Sequence, residues 1–282
     1  MPHRSENKEF IEALARGLEI IRAFHQHKPL RTVSDLSAEL NLARPTVHRI
    51  LQTLEQLGYV VQTDGGYYLS AKVVDLGVSY IASRGFYGAA RPHLEQLAND
   101  VDHAISVAEL VDSDIFVIGR AEVPMVVAYT AAIGQRMPAH ATALGRVLLA
   151  GLSDDELTDR LEIPSLATLQ PLTRIAIDDV RAAVLAVREQ GWAMVDQTMS
   201  VGFRAIAAPI TDRSGNTVAA IGLIAHVQNV SMDRLMDDFC PRLVKTASRV
   251  SAEYAHVATL PISRPSTSEP RFGAFDTQST PA

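Results

Sequence analysis

Between residues 30 and 70 a short helical run, a tight break, a donor-rich helical run and a hairpin follow one another, an order few folds accommodate. In the stretch from Leu30 to Leu40, Val33, Leu36 and Leu40 share one helical face, and Thr32 with Asp35 approximates a capping box. Asn41, which tolerates a left-handed backbone, marks the turn. Pro45 stands where a helix can begin. The spacing of Val47, Ile50, Leu51, Leu54 and Leu57 then predicts a helix over 46–57, stopped by Gly58. Its other face carries Arg44, Thr46, His48, Arg49, Gln52 and Thr53, donors suited to phosphates and base edges in a major groove. The β-prone runs 59–63 and 67–69 flank Asp64-Gly65-Gly66, a hairpin signal. The combination reads as a winged helix-turn-helix: mostly α, with a β-hairpin wing.

The competing reading is an ordinary helical pair with a solvated polar face. Against it stands the lack of any acid between Glu39 and Glu55, since solvated faces normally mix both signs. The charge is also unevenly placed. Residues 1–85 hold ten Lys/Arg and nine Asp/Glu, a net of +1, whereas the remainder holds sixteen against twenty-three, a net of −7. The overall −6 argues against non-specific coating of nucleic acid, but a reader needs a positive surface only where it meets the groove.

A chain of 282 residues suggests two domains. Cys240 is the only cysteine, which excludes an intrachain disulfide and points to a buried structural thiol. No stretch approaches an uninterrupted apolar span of about 20 residues. The polar start leads into an amphipathic helix rather than a signal-peptide core, so a cytoplasmic location is expected.

A first helix is expected over 9–25, with Phe10, Leu14, Leu18, Ile21 and Phe24 forming the face that supports the helix-turn-helix. After the wing, Val73, Leu76, Gly77 and Tyr80 suggest a linker helix, either paired with its twin in a dimer or packed on its own domain. From Phe86 the pattern becomes mixed. Helices are expected near Leu94–Val101, from Thr142, from Ser153 (a capping box with Glu156), over 177–190, and finally over 232–256. Strands are expected at 104–110, 115–120, 125–130, 193–196, 205–211 and 217–225, with Ser214-Gly215-Asn216 joining the last two. These two are apolar on both faces, so they should be central in a mainly antiparallel sheet covered on at least one side by helices, an α+β domain. The expected boundaries are 9–70 for the reader, 71–85 for the linker helix, 86–257 for the second domain and 258–282 for a disordered Pro/Ser/Thr-rich tail.

Enzyme signatures are missing from this second domain: no Gly-x-Ser-x-Gly elbow, no phosphate loop and no Gly-x-Gly-x-x-Gly. His93, His103, His140 and His226 lack ligand spacing, so neither metal nor cofactor is expected. Two loops are more informative. One, 134–146, enters a helix whose N-terminal amides, with Thr142, could attract an anionic group. The other, 196–207, delivers Arg204 to the start of a buried strand, and arginine favours carboxylates. Each could be ordinary turn chemistry; together they suggest a pocket for a small carboxylate.

The chain resembles an IclR-type bacterial transcriptional regulator over residues 9–257. The carrying pieces are Ala15–Leu18, Thr46–Leu51 with Leu57-Gly58-Tyr59, Asp75-Leu76-Gly77, Pro138–Thr142 with Gly145-Arg146, and Gly202–Ile210. Phe10–Leu18 is further similar to the branch controlling β-ketoadipate pathway genes of aromatic-acid breakdown. The resemblance implies a GAF-like effector domain, a homodimer or dimer of dimers, a palindromic double-stranded operator, and an effector such as protocatechuate, 4-hydroxybenzoate or β-ketoadipate. It also implies a pocket lined by Val126, Tyr129, Ala143, Leu144, Asp196, Arg204, Ala205, Gly222 and Ile224. Relatives that bind short acids tend to carry small polar or thiol groups on the last two strands. The apolar Ala205, Gly222 and Ile224 suit a ring better, though glyoxylate or pyruvate stays open as effector. Ser200 stands where many relatives have an acid. The expected DNA contacts are Thr32, Arg44, Thr46, His48, Arg49 and Gln52. An enzyme or signalling module whose helix-turn-helix is a protein interface is the remaining alternative.

Overall fold

The computed structural model describes residues 10–25, 28–77, 80, 86–123 and 132–257. Contacts divide the chain into two compact units, one ending at Ala82 and one beginning at Ser83. No helix among the described residues is long and apolar enough to cross a membrane.

The first unit opens with α1 (Glu12–Arg22), then α2 (Val33–Glu39), α3 (Arg44–Gln56) and the hairpin β1 (Val60–Thr63) and β2 (Gly66–Leu69). Thr32 closes the capping box on α2: its hydroxyl accepts from the Asp35 amide at 3.1 Å, and the Asp35 carboxylate accepts from the Thr32 amide at 2.9 Å. Asn41 takes φ of 51°, the left-handed turn its residue type allows. The predicted second helix begins two residues early, at Arg44, because Pro45 fits the first turn. Val47, Leu51 and Leu54 are its buried face. Gly66 belongs to β2 rather than to the turn. Its backbone passes Arg31, which pairs with Tyr67, and a Cβ there would lie 2.6 Å from the Arg31 carbonyl.

The expected supporting face of the first helix holds only in its C-terminal half. Phe24 is buried in this unit's core with Ile20 and Ala23, and Ile21 packs against it, while Phe10, Leu14 and Leu18 are exposed. Beyond the wing, a 3₁₀ turn (Ala71–Val73) runs into helical residues 74–77 and 80.

In the second unit, α4 (Phe86–Val101) precedes β3 (Ile105–Val111), β4 (Asp114–Ala121) and β5 (Arg136–Pro138). A 3₁₀ turn at Ala139–Ala141 leads into α5 (Ala143–Ala150), followed by α6 (Asp154–Glu162) and α7 (Ile177–Gln190). Then come β6 (Ala193–Asp196), β7 (Phe203–Thr211), β8 (Thr217–His226), α8 (Met232–Arg234) and α9 (Cys240–Val257). The sheet order is β5-β4-β3-β8-β7-β6, and its pairs are antiparallel. The expected strand 125–130 and the tail 258–282 lie outside the described residues. The strand β5 falls inside what reads in sequence as a loop, because three residues are too few to show a period.

Both faces of the sheet are covered. On one, Ile206, Ala208 and Ile210 of β7 and Ile221 and Leu223 of β8 pack on α4 and α9. On the other, Ala205 and Ala207 of β7 and Ala220 of β8 meet α5 and α7. The strands are therefore apolar on both faces, but one face is small over its middle, at Ala205, Ala207, Ala220 and Gly222. The final helix is not continuous: a π-helical turn, Leu235–Phe239, separates α8 from α9. Pro241 explains it, having no amide to donate and a ring that crowds the carbonyl four residues back. Cys240 is buried and free, its thiol pushed up by burial.

Candidate functional site

On α3 the apolar stripe turns inward, which forces its polar residues outward. Arg44, His48, Arg49 and Gln52 are exposed and Thr46 is half-buried. Neither arginine pairs with an acid among the described residues. Thr53, on the same face, returns its hydroxyl to the Arg49 carbonyl at 2.9 Å. Thr32 is less available than its neighbours. Its hydroxyl is spent on the α2 cap, accepting from the Asp35 amide and donating to the Asp35 carboxylate at 2.8 Å. Lys72 was not singled out from sequence. Its Nζ donates to the Leu57 carbonyl at 2.9 Å, at the C-terminus of α3, and sits 5.4 Å from the Tyr59 ring centre. That position suits a cation.

The second unit holds a pocket of about 600 Å³, counting its open mouth, between the small-residue face of the sheet and the start of α5. Thr142, Ala143, Leu144, Arg204, Ala205, Gly222 and Ile224 all line it. Thr142 caps α5 through the Gly145 amide at 3.0 Å, leaving the earlier amides of that turn without an intrahelical acceptor. Gly145 is required here, since a Cβ would lie 2.1 Å from the Ala139 carbonyl of the preceding turn.

Arg204 stands opposite Asp196 in the β6–β7 register and donates from Nε to Oδ1 at 2.9 Å. Asp196 is thus the partner of a lining residue rather than a lining residue. Gly222 lines the pocket, but it does not widen it in the way its missing side chain suggests. A Cβ there would lie 2.6 Å from the Ile206 carbonyl and 3.1 Å from Leu144 Cδ2, so that space is already filled. Val126 and Tyr129 lie outside the described residues.

Sequence reading missed Met137, Thr198, Met199 and Phe203, which also line the pocket, as does Ser200, singled out only for standing where many relatives have an acid. Thr198, Met199 and Ser200 lie in the loop 197–202, which closes onto Phe203 at the start of β7. Gln197, at φ of 52°, receives the Gly202 amide on its side chain at 2.9 Å and donates its own amide to the Phe203 carbonyl at 2.8 Å. Phe203 packs edge-on against His226, with centroids 4.9 Å apart. The signal was present, because the loop stood out as glycine-hinged, but which side chains turned inward depended on the hairpin. No group of three or more His, Cys, Asp or Glu among the described residues could hold a metal ion.

Residues 13–64 match the family model of the IclR helix-turn-helix domain, and residues 78–252 that of the bacterial transcriptional regulator IclR C-terminal domain. The chain is 36% identical over 242 residues to the Pca regulon regulatory protein of Pseudomonas putida, covering 86% of this chain and 83% of that protein. A solved structure from Rhodococcus sp. RHA1, assigned to transcriptional regulation, is 40% identical with a TM-score of 0.76. It covers 88% of this chain and all of its own. The inducer-binding domain of the PobR transcription factor from Acinetobacter, solved as a double mutant with 3-hydroxybenzoic acid, is 26% identical with a TM-score of 0.52. It covers 57% of this chain and 95% of that one. With a donor-faced reader helix ahead of a pocketed α+β unit, and both domain models matched in that order, this chain belongs to the IclR family of DNA-binding transcriptional regulators with an effector-binding domain.

Proposed function

We propose that operator binding by this regulator is controlled by an aromatic carboxylate seated between α5 and the sheet. One observation carries the reading: the pocket's wall is largely apolar, with Met137, Leu144, Met199, Phe203 and Ile224 in its lining, and its one charged lining residue is Arg204, beside the hydroxyls of Ser106, Thr142, Thr198 and Ser200. A ring suits such walls, and a guanidinium whose Nε is already anchored offers its terminal nitrogens to a carboxylate. Thr142 and the first amides of α5 would receive the ligand's other polar group. The kinship to a Pca regulon regulator and to a domain solved with 3-hydroxybenzoic acid supports an aromatic rather than a two- or three-carbon acid.

In this reading Arg44, Thr46, His48, Arg49 and Gln52 meet DNA, and Thr32 contributes from beside its cap. The operator is palindromic because one such helix reads half a site. The exposed Ile11, Leu14 and Leu18, at 65%, 61% and 51%, support a homodimer or dimer of dimers through the reader units. The protein is cytoplasmic and does no chemistry on its ligand. A thermal-shift screen of aromatic and short keto acids, paired with operator mobility shifts, tests this. Stabilisation by hydroxybenzoates or protocatechuate together with altered retardation is expected; a response to glyoxylate or pyruvate alone would overturn it.

A further inference from the structure

The sensor unit has a second cavity, of about 1190 Å³ counting its mouth, under the connection between α6 and α7. No residue lines both it and the effector pocket, yet they are near neighbours in the chain. His140 faces this cavity, and Thr142, two residues on, faces the other. Leu149, Leu161, Ile163 and Val180 supply an apolar wall.

Its charged lining groups are of one sign, beside the uncharged Ser113, His140, Ser165 and Gln170. Arg160 and Arg174 line it, and no carboxylate does among the described residues. Arg160 approaches Asp112 only at 3.7 Å, and Arg174 has no ion-pair partner among the described residues. Ser113, a lining residue, is 8% exposed, and its hydroxyl is fully buried and has no hydrogen-bond partner. A buried hydroxyl left so is uncommon in a native fold and calls for an acceptor from elsewhere. Burial pushes the His140 ring below the usual histidine range, so near neutrality it is uncharged and both donates and accepts.

The connection 163–176 forms no helix or strand. It is nevertheless held at two points. The fully buried Asp114 accepts from Ser165 Oγ at 2.5 Å and from the Leu166 amide at 2.9 Å. The Leu172 amide donates at 3.0 Å to the carbonyl of Thr198, which lines the effector pocket. A long irregular segment tethered over a cavity is the usual setting of a binding loop.

We propose that this cavity is a second small-molecule site, taking an anion with an apolar body, either an organic carboxylate or a phosphate monoester. Arg160 and Arg174 meet the anionic head, Ser113 and His140 orient it, and the aliphatic wall takes the body. This proposal does not depend on what fills the effector pocket.

The test is calorimetric titration of the full chain with benzoate and with phenyl phosphate, in the wild type and in the Arg204→Met, Arg174→Met and Arg160→Met variants. At least one probe should show a binding component that survives Arg204→Met and weakens about tenfold in Arg174→Met, the loss expected for one charge-assisted contact. Arg174 is exposed, so its replacement leaves the fold intact, as a thermal melt checks. Which probe binds tells carboxylate from phosphate. If neither probe shows a component sensitive to Arg174→Met or Arg160→Met, the proposal is overturned. If instead Arg204→Met abolishes nothing, the effector-pocket reading fails while the second site stands.

Discussion

Arg204 illustrates how a single residue acquires a function from its register. Any arginine can meet a carboxylate; this one lines the pocket while its Nε is held by Asp196 across the strand pair. Arg204→Met should therefore weaken effector binding at least tenfold by calorimetry while leaving ligand-free operator affinity unchanged. Gly222→Ala should cost about 1–3 kcal/mol in denaturant unfolding, because the added methyl meets backbone and Leu144 rather than open space. His140 makes a pH prediction. Burial lowers its pKa more than the attraction of Asp114 raises it, so the unfolded chain binds the proton more readily. Stability is then full above the ordinary histidine range and falls as pH drops through it; His140→Gln should flatten that slope in chemical denaturation between pH 8 and 5. None of these three roles is visible in composition, because each depends on what stands opposite the residue.

At the scale of elements, much was legible. Both capping boxes, Thr32 with Asp35 and Ser153 with Glu156, form as their spacing indicated, and α7 ends at Gly191 in the left-handed region. These signals are local, set within one turn, so distant residues do not alter them. The π turn before α9 and the short β5 were not legible: a proline's effect depends on packing, and a three-residue strand exists only because β4 pairs with it. On α3 the exposed face predicts a measurable electrostatic consequence. Arg49→Ala should lower the slope of log affinity against log salt by about one unit in operator-binding assays. An unchanged slope would remove Arg49 from the DNA contacts. On α5, Thr142→Ala should cost about 1 kcal/mol through the lost cap, read as a lowered Tm.

At the scale of the molecule, every residue placed in the effector pocket lies within the second unit. A fragment of residues 86–257 should therefore retain effector affinity within about threefold by calorimetry, a change under 1 kcal/mol, and lose operator retardation altogether. Failure of the folded fragment, checked by its thermal melt, to bind would overturn the placement of the effector site within the second unit. The sequence by itself determined the reader, the order of the two domains and the antiparallel character of the sheet. Hydrophobic period, caps and hairpin turns are short-range signals, and a one-residue slip would turn every side chain to the wrong face. What only the tertiary structure decided was which of two apolar faces is which. Both faces of β7 and β8 read alike in sequence, yet one is bulky and sealed by α4 and α9, and the other is small and opens beneath α5. The same holds at the first helix, where packing buries the C-terminal part of the apolar face and leaves Leu14 and Leu18 exposed. Cavities are set by what fails to fill space between elements distant in the chain, and no pattern along a single chain records that.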